Sequence, residues 1–109
     1  MALKESNQID AIGISNEKDC VTLAIFDSHD WIEEELHLHM LQEKLNTYLR
    51  FIESGEIYTA YEDSVGRKFE IVIHFKENYP QSCKAFLESV REIIESAGFM
   101  FLIQLDNKC

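Results

Sequence analysis

The sequence predicts an α+β fold: a two-layer sandwich with a four-stranded sheet and two helices on one face. Three observations predict it. Two stretches, Asp30–Gly55 and Asn78–Ala97, carry apolar residues at helical spacing in a single stripe. Four short stretches alternate in the way of strands, most clearly FEIVIHFK at Phe69–Lys76. Their order is strand, strand, helix, strand, helix, strand (ββαβαβ), and helices with one apolar stripe each are best buried against one sheet.

The limits of the chain come from its length and charge. At 109 residues it is one domain, placed at residues 9–105 between a polar N-terminal tail (1–8) and a C-terminal tail (106–109). Hydrophobic residues reach 46 % with a single Pro, enough apolar surface to fold without a metal or disulfide. Ten basic against 20 acidic residues give a net charge of −10, which repels phosphate backbones and anionic lipid. Neither nucleic acid nor a membrane surface is therefore an expected partner. MALKESNQID has no apolar run of the kind a signal peptide needs. The three cysteines, Cys20, Cys83 and Cys109, lack CxxC spacing, so no disulfide framework or zinc cage is expected and a reducing cytoplasm is the expected setting.

In chain order, Ile9–Ile14 reads as a short strand, Ser15–Asp19 as a polar turn, and Cys20–Phe26 as the second arm of a hairpin. Asp27–Asp30 leads into the long helix. Its stripe is Trp31, Leu38, Leu41, Leu45, Tyr48, Leu49 and Ile52, and Asp30 with Glu33 resembles a capping box. Glu33, Glu34 and Glu35 suit the positive end of the helix dipole, and Gly55 supplies a stop. A second row, Ile32, Leu36 and Met40, extends the N-terminal half toward a loop or a neighbouring subunit. Glu56–Lys68 reads either as a loop pinned by Tyr58 and Tyr61 or as a fifth, edge strand at Ile57–Tyr61. The second helix opens at Pro80, buries Cys83, Phe86, Leu87, Val90, Ile93, Ile94 and Ala97, and ends at Gly98. Phe99–Leu105 is the last strand.

Period-2 alternation divides the sheet residues into two sets. The helix-facing set includes Val21, Leu23, Ile25, Phe69, Ile71, Ile73, Phe75 and Phe101. The opposite set includes Thr22, Ala24, Phe26, Val72, His74, Met100 and Leu102, with Glu70 and Lys76 at its margins. A face open to water normally carries charged residues at alternate positions, and this one does not. Thr22, Ala24, Val72, His74, Met100 and Leu102 are thus the candidate interface, for a homodimer or another protein partner. The competing expectation is that the long helix or the Glu56–Lys68 segment covers this face.

Few motifs for chemistry are present. His37 and His39 point about 200° apart on a helix, so they do not share a metal, while Glu33–His37 and Glu35–His39 have i,i+4 spacing that would supply two positions of a metal site and otherwise form solvated helix surface. No catalytic, cofactor-binding or metal site is assigned: there is no GxSxG, GxGxxG or P-loop, and no cofactor is expected. A candidate pocket is His29, Trp31, Tyr58 and Tyr61, between the 27–31 loop and the 56–68 segment.

IDAIGI, the Asp30-Trp31 pair, LQEKLNTYLRFIESGEIY, FEIVIHF and the AGF turn together resemble a bacterial family of roughly hundred-residue proteins that is a domain of unknown function. The resemblance spans Ile9–Leu105 and implies an α+β fold and a bacterial cytosolic origin, with no activity or site to transfer. The leading expectation is a non-enzymatic protein-interaction module that self-associates through the apolar sheet face. A second is an acidic immunity-type inhibitor of a basic toxin or nuclease, with Glu33–Glu35 or Glu62 and Asp63 mimicking phosphate. A third is a small enzyme or ligand-binding protein using the candidate pocket.

Overall fold

Strands β1 (Ala11–Ser15) and β2 (Cys20–Asp27) form an antiparallel hairpin with Ile12 opposite Leu23 and Ile14 opposite Val21. The computed structural model describes residues 9–15, 19–27, 31–76 and 78–105, with Ser15 by its backbone alone. The two tails, the tip of the 15–19 turn, and His29 and Asp30 lie outside these residues.

Helix α1 (Glu34–Glu53) starts later than the sequence pattern predicts. Its N-cap is Glu33, which makes no side-chain cap bond, and the expected Asp30 cap falls outside the described residues. Glu34 and Glu35 occupy the first turn and Arg50 the last, matching the helix dipole at both ends. Ser54 N–H closes on Arg50 C=O at 2.9 Å, and Gly55 takes a left-handed φ of +85° that a side chain would strain.

That glycine also settles the segment after it. Gly55 caps a second, short helix, α2 (Glu56–Ala60), so the alternative of an edge strand at Ile57–Tyr61 is corrected to helix. Tyr61 N–H reaches Ile57 C=O at 2.8 Å, and Ile57 itself is buried in the core. A 3₁₀ turn at Glu62–Ser64 follows, fixed by the Ser64 hydroxyl donating to Tyr61 C=O at 2.6 Å. The sheet has four strands, completed by β3 (Lys68–Phe75) and β4 (Met100–Leu105). Between them, a 3₁₀ turn at Gln81–Cys83 precedes α3 (Lys84–Ser96), so Pro80 sits before the 3₁₀ turn rather than inside the α-helix.

The spatial order is β1-β2-β3-β4, with β2, β3 and β4 parallel. Two parallel crossovers therefore march the same way across the sheet. Crossovers share one hand, so α1 and α3 land on the same face. Val21, Leu23, Ile25, Ile71, Ile73 and Phe75 point into that layer and are fully buried against Leu41, Leu45, Ile52, Leu87 and Ile94. Each such side chain contributes about 1.5–3 kcal/mol by leaving water.

The buried face of α1 is less apolar than its stripe suggests. It comprises His37, Leu41, Lys44, Leu45, Tyr48 and Ile52. Lys44 is fully buried and pairs with Asp10 Oδ1 at 2.7 Å. The Tyr48 hydroxyl donates to Ala24 C=O at 2.5 Å and accepts from Asp10 N–H at 2.8 Å. Asp10 Oδ2 accepts from Phe26 N–H at 3.1 Å. Side chains thus continue the β1–β2 ladder one step beyond Ala11. The second row is mixed: Ile32 and Leu36 are exposed, while Met40 packs on the core.

Lys44→Ala leaves the Asp10 carboxylate without its cation. It is expected to lower unfolding stability by about 3–5 kcal/mol, read from urea melts; a loss below about 1 kcal/mol, the exposed-pair range, would mean that water solvates Asp10. Burial pushes the Tyr48 phenol well above its usual 10.0, with the nearby Asp10 charge adding to the rise. The fold therefore favours the neutral phenol. Its contribution is intact below pH 10.0 and falls as pH rises further, because only the unfolded chain ionises there. Tyr48→Phe is expected to lose about 1–3 kcal/mol at neutral pH and to flatten the alkaline fall in stability.

Candidate functional site

The sheet face opposite the helices is built by register. Ala24, Val72 and Leu102 lie side by side on β2, β3 and β4. One step toward the strand N-termini, Thr22, Glu70 and Met100 make a second row; one step the other way, Phe26, His74 and Gln104 make a third. The six predicted interface residues, Thr22, Ala24, Val72, His74, Met100 and Leu102, therefore share one face across three adjacent strands.

The chemistry of this face is distinct from the rest of the chain. Phe26, Met100 and Leu102 are 45 %, 41 % and 41 % exposed, and Val72 and Ala24 form a low floor between them. Its carboxylate, Glu70, is nearly buried and accepts from the Thr22 hydroxyl at 3.0 Å. Phe26 stacks on His74 with ring centroids 5.3 Å apart. Lys68 and Lys76, exposed at the two ends of β3, continue the same alternation. In a chain of net charge −10, this surface is close to neutral. Among the described residues, the buried residues of α1 and Ile57 of α2 join the core on the other layer, while on this face Cys20, Ala24, Val72 and Glu70 are buried.

The candidate pocket is not assembled. Trp31 packs on Phe75, at the end of β3, while Tyr58 packs edge-on against Phe69, near its start. Those contacts are six residue steps apart along β3, roughly 20 Å at ~3.3 Å each. Tyr58 and Tyr61 are exposed, and His29 lies outside the described residues. The two acidic clusters are likewise apart. Glu34 sits at the start of α1, bonded to the Ser82 hydroxyl at 2.8 Å, and Glu62 and Asp63 lie in the 3₁₀ turn that leads into β3.

Sequence reasoning placed His37 on a solvated helix surface; the structure buries it. Its Nε2–H donates to Asp27 Oδ2 at 2.5 Å, and Trp31 covers the ring at 3.6 Å between centroids. This pair closes the C-terminal end of β2, with Lys76 N–H on Asp27 C=O at 2.9 Å. The signal available was helical phase, since 37, 41, 44, 48 and 52 form one stripe that a hydrophobicity reading breaks at its polar members. Cys83 is buried beside Glu34. Burial first, then the Glu34 carboxylate, raise the thiol's pKa. An activated nucleophile needs the opposite shift, so this thiol is a packing group. Among the described residues no three His, Cys, Asp or Glu side chains could hold a metal ion, and no helix is long and apolar enough to cross a membrane.

Cys83 is expected to resist alkylation at pH 8 while the chain is folded and to react once urea unfolds it, read by mass spectrometry; fast labelling of native Cys83 would contradict the packing role. No curated protein and no solved structure matches the chain. A family of unknown function, DUF6572, matches residues 1–107, and the chain belongs to it.

Proposed function

We propose that this protein is a binding module whose open sheet face docks a second copy of the same chain. One observation carries the reading: Phe26, Met100 and Leu102 stand exposed on a face whose carboxylate is already bonded to Thr22. Apolar surface of this kind is stabilised by removal from water. The charge pattern selects a second copy. Two molecules of charge −10 repel over most of their surfaces, and the repulsion is least where their apolar, near-neutral faces meet. A two-fold axis would set each face against its own copy.

Size fixes the expected strength. Four strands ~4.8 Å apart and ~20 Å long present roughly 400 Å² in projection, against about 800 Å² per partner in a standard interface. The dimer is therefore a weak, transient one. Buried thiols at Cys20 and Cys83, outside any disulfide, support a reducing cytoplasm as its setting.

Sedimentation equilibrium tests this. The weight-average mass is expected to rise from 12.7 kDa toward twice that value as concentration climbs through the micromolar range. Leu102→Glu, at an exposed position, is expected to stay at 12.7 kDa with unchanged circular dichroism. A wild-type chain that remains at 12.7 kDa throughout, or a Leu102→Glu variant that dimerises equally, overturns the reading.

A further inference from the structure

Glu70 stands on β3 between Thr22 and Met100, 7 % exposed, on the face proposed to dimerise. We infer that the second copy docks with its strands reversed, so that the Lys76 ammonium of each chain completes the Glu70 carboxylate of the other. The inference rests on the dimer proposed above and adds the partner's orientation and the group it supplies.

A carboxylate offers about four acceptor positions on its two oxygens. Among the described residues, the Thr22 hydroxyl at 3.0 Å is the one group bonded to Glu70 through its side chain. Among the same residues no ammonium or guanidinium pairs with it, Lys68 two residues back on the same face included. In the single chain its exposed edge faces water. A second sheet laid on this face removes that water. A buried carboxylate without a cation is strongly destabilised, so a stable dimer has to bring a cation to it.

Symmetry limits where that cation can come from. The two-fold axis between stacked, aligned sheets runs along β3 or across it. Along β3, each residue faces its own copy, and Glu70 is set against the partner's Glu70, a desolvated like-charge contact. Across β3, the strands reverse. With the axis crossing between Val72 and His74, positions 70 and 76 lie equally far from it on either side. Glu70 then faces the partner's Lys76, and the second pair forms by symmetry. Lys76 is exposed, and its backbone N–H on Asp27 C=O at 2.9 Å keeps it in line with β3. Packed sheets lie about 10 Å apart, a gap that a lysine chain and a glutamate chain bridge together. The same axis lays Ala24, 8 % exposed, beneath the partner's Phe26, 45 % exposed, so a low position meets a tall one. Lys68 is a poorer donor. It faces the partner's Glu70 only with the axis near Phe69, which leaves Phe26 and Leu102 in water.

Sedimentation equilibrium of charge variants reads the pair. Lys76→Glu, at an exposed position, is expected to raise the dimer dissociation constant at least about tenfold, as loss of a close interfacial charge pair does, with circular dichroism unchanged. Lys84→Glu makes the same change of charge at an exposed position on the helical layer and is expected to stay within about twofold of wild type. Isotope-filtered Overhauser spectra of mixed labelled and unlabelled wild-type chains need no variant. They are expected to join the Lys76 side chain to the partner's Glu70 and the Ala24 methyl to the partner's Phe26 ring. Glu70 and Lys76 of one chain are six residue steps apart, roughly 20 Å at ~3.3 Å each, so such a contact arises only between chains. A wild-type chain that stays at 12.7 kDa sinks the dimer and this inference with it. A wild-type dimer that Lys76→Glu and Lys84→Glu weaken equally, or whose cross-chain contacts join Glu70 to the partner's Glu70 or the partner's Lys68, leaves the dimer standing and overturns the inference alone.

Discussion

The arrangement depends on how α1 is fastened to β2. Apolar burial alone is non-directional and would let a twenty-residue helix slide or rotate on the sheet. Three polar contacts prevent this. His37 meets Asp27 at the C-terminal end of β2, Lys44 meets Asp10, and the Tyr48 hydroxyl sits on Ala24 C=O. All leave from one face of α1 and end on the β1–β2 hairpin. An ion pair in the interior adds little net stability over an apolar replacement, but a misplaced partner costs several kcal/mol. These contacts therefore act on register. They hold α1 against the hairpin at one phase, with Leu41, Leu45 and Ile52 on the core and Leu49 turned toward α3.

The same fastening makes the sheet one-sided. With α1 seated and the β2, β3 and β4 crossovers marching one way, both long helices are committed to a single face. The order never reverses, so there is no switch point of the kind that opens a crevice at the strand ends in doubly wound sheets. At the ends of β2 and β3, where such a crevice would lie, Trp31, His37 and Phe75 pack together and fill the space.

What the sequence made legible follows the range of the underlying interaction. Alternation along a strand is local, so Thr22, Val72, His74 and Leu102 could be assigned to one face without knowing which strands are neighbours. The α+β class was legible for the same reason. Two features were not. The identity of Glu56–Ala60 turned on the left-handed φ of Gly55 and on where Ile57 could be buried, and neither is written in the propensities of EIYTA. The polar seam under α1 required Asp10 and Asp27 to be matched with Lys44 and His37, partners 34 and 10 residues away, and a buried charge has no local signature. The candidate pocket failed on the same ground: Trp31 and Tyr58 flank one helix and turn in sequence, yet the intervening helix carries the chain the length of β3.

Acidity and hydrophobicity thus separate spatially. Both long helices carry exposed carboxylates, Glu35, Glu43 and Glu53 on α1 and Glu88, Glu92 and Glu95 on α3, whereas on the opposite face of the sheet Glu70 is tied to Thr22 and Lys68 and Lys76 stand at the ends of β3. A net charge of −10 is therefore not spread evenly over the chain. A neutral or like-charged surface meets least repulsion at the sheet, and a cationic one is drawn to the helices. Because the two surfaces lie on opposite layers, occupation of one leaves the other open. A dimer formed through the sheets would turn its helical layers outward, one on each side, and keep their carboxylates in water.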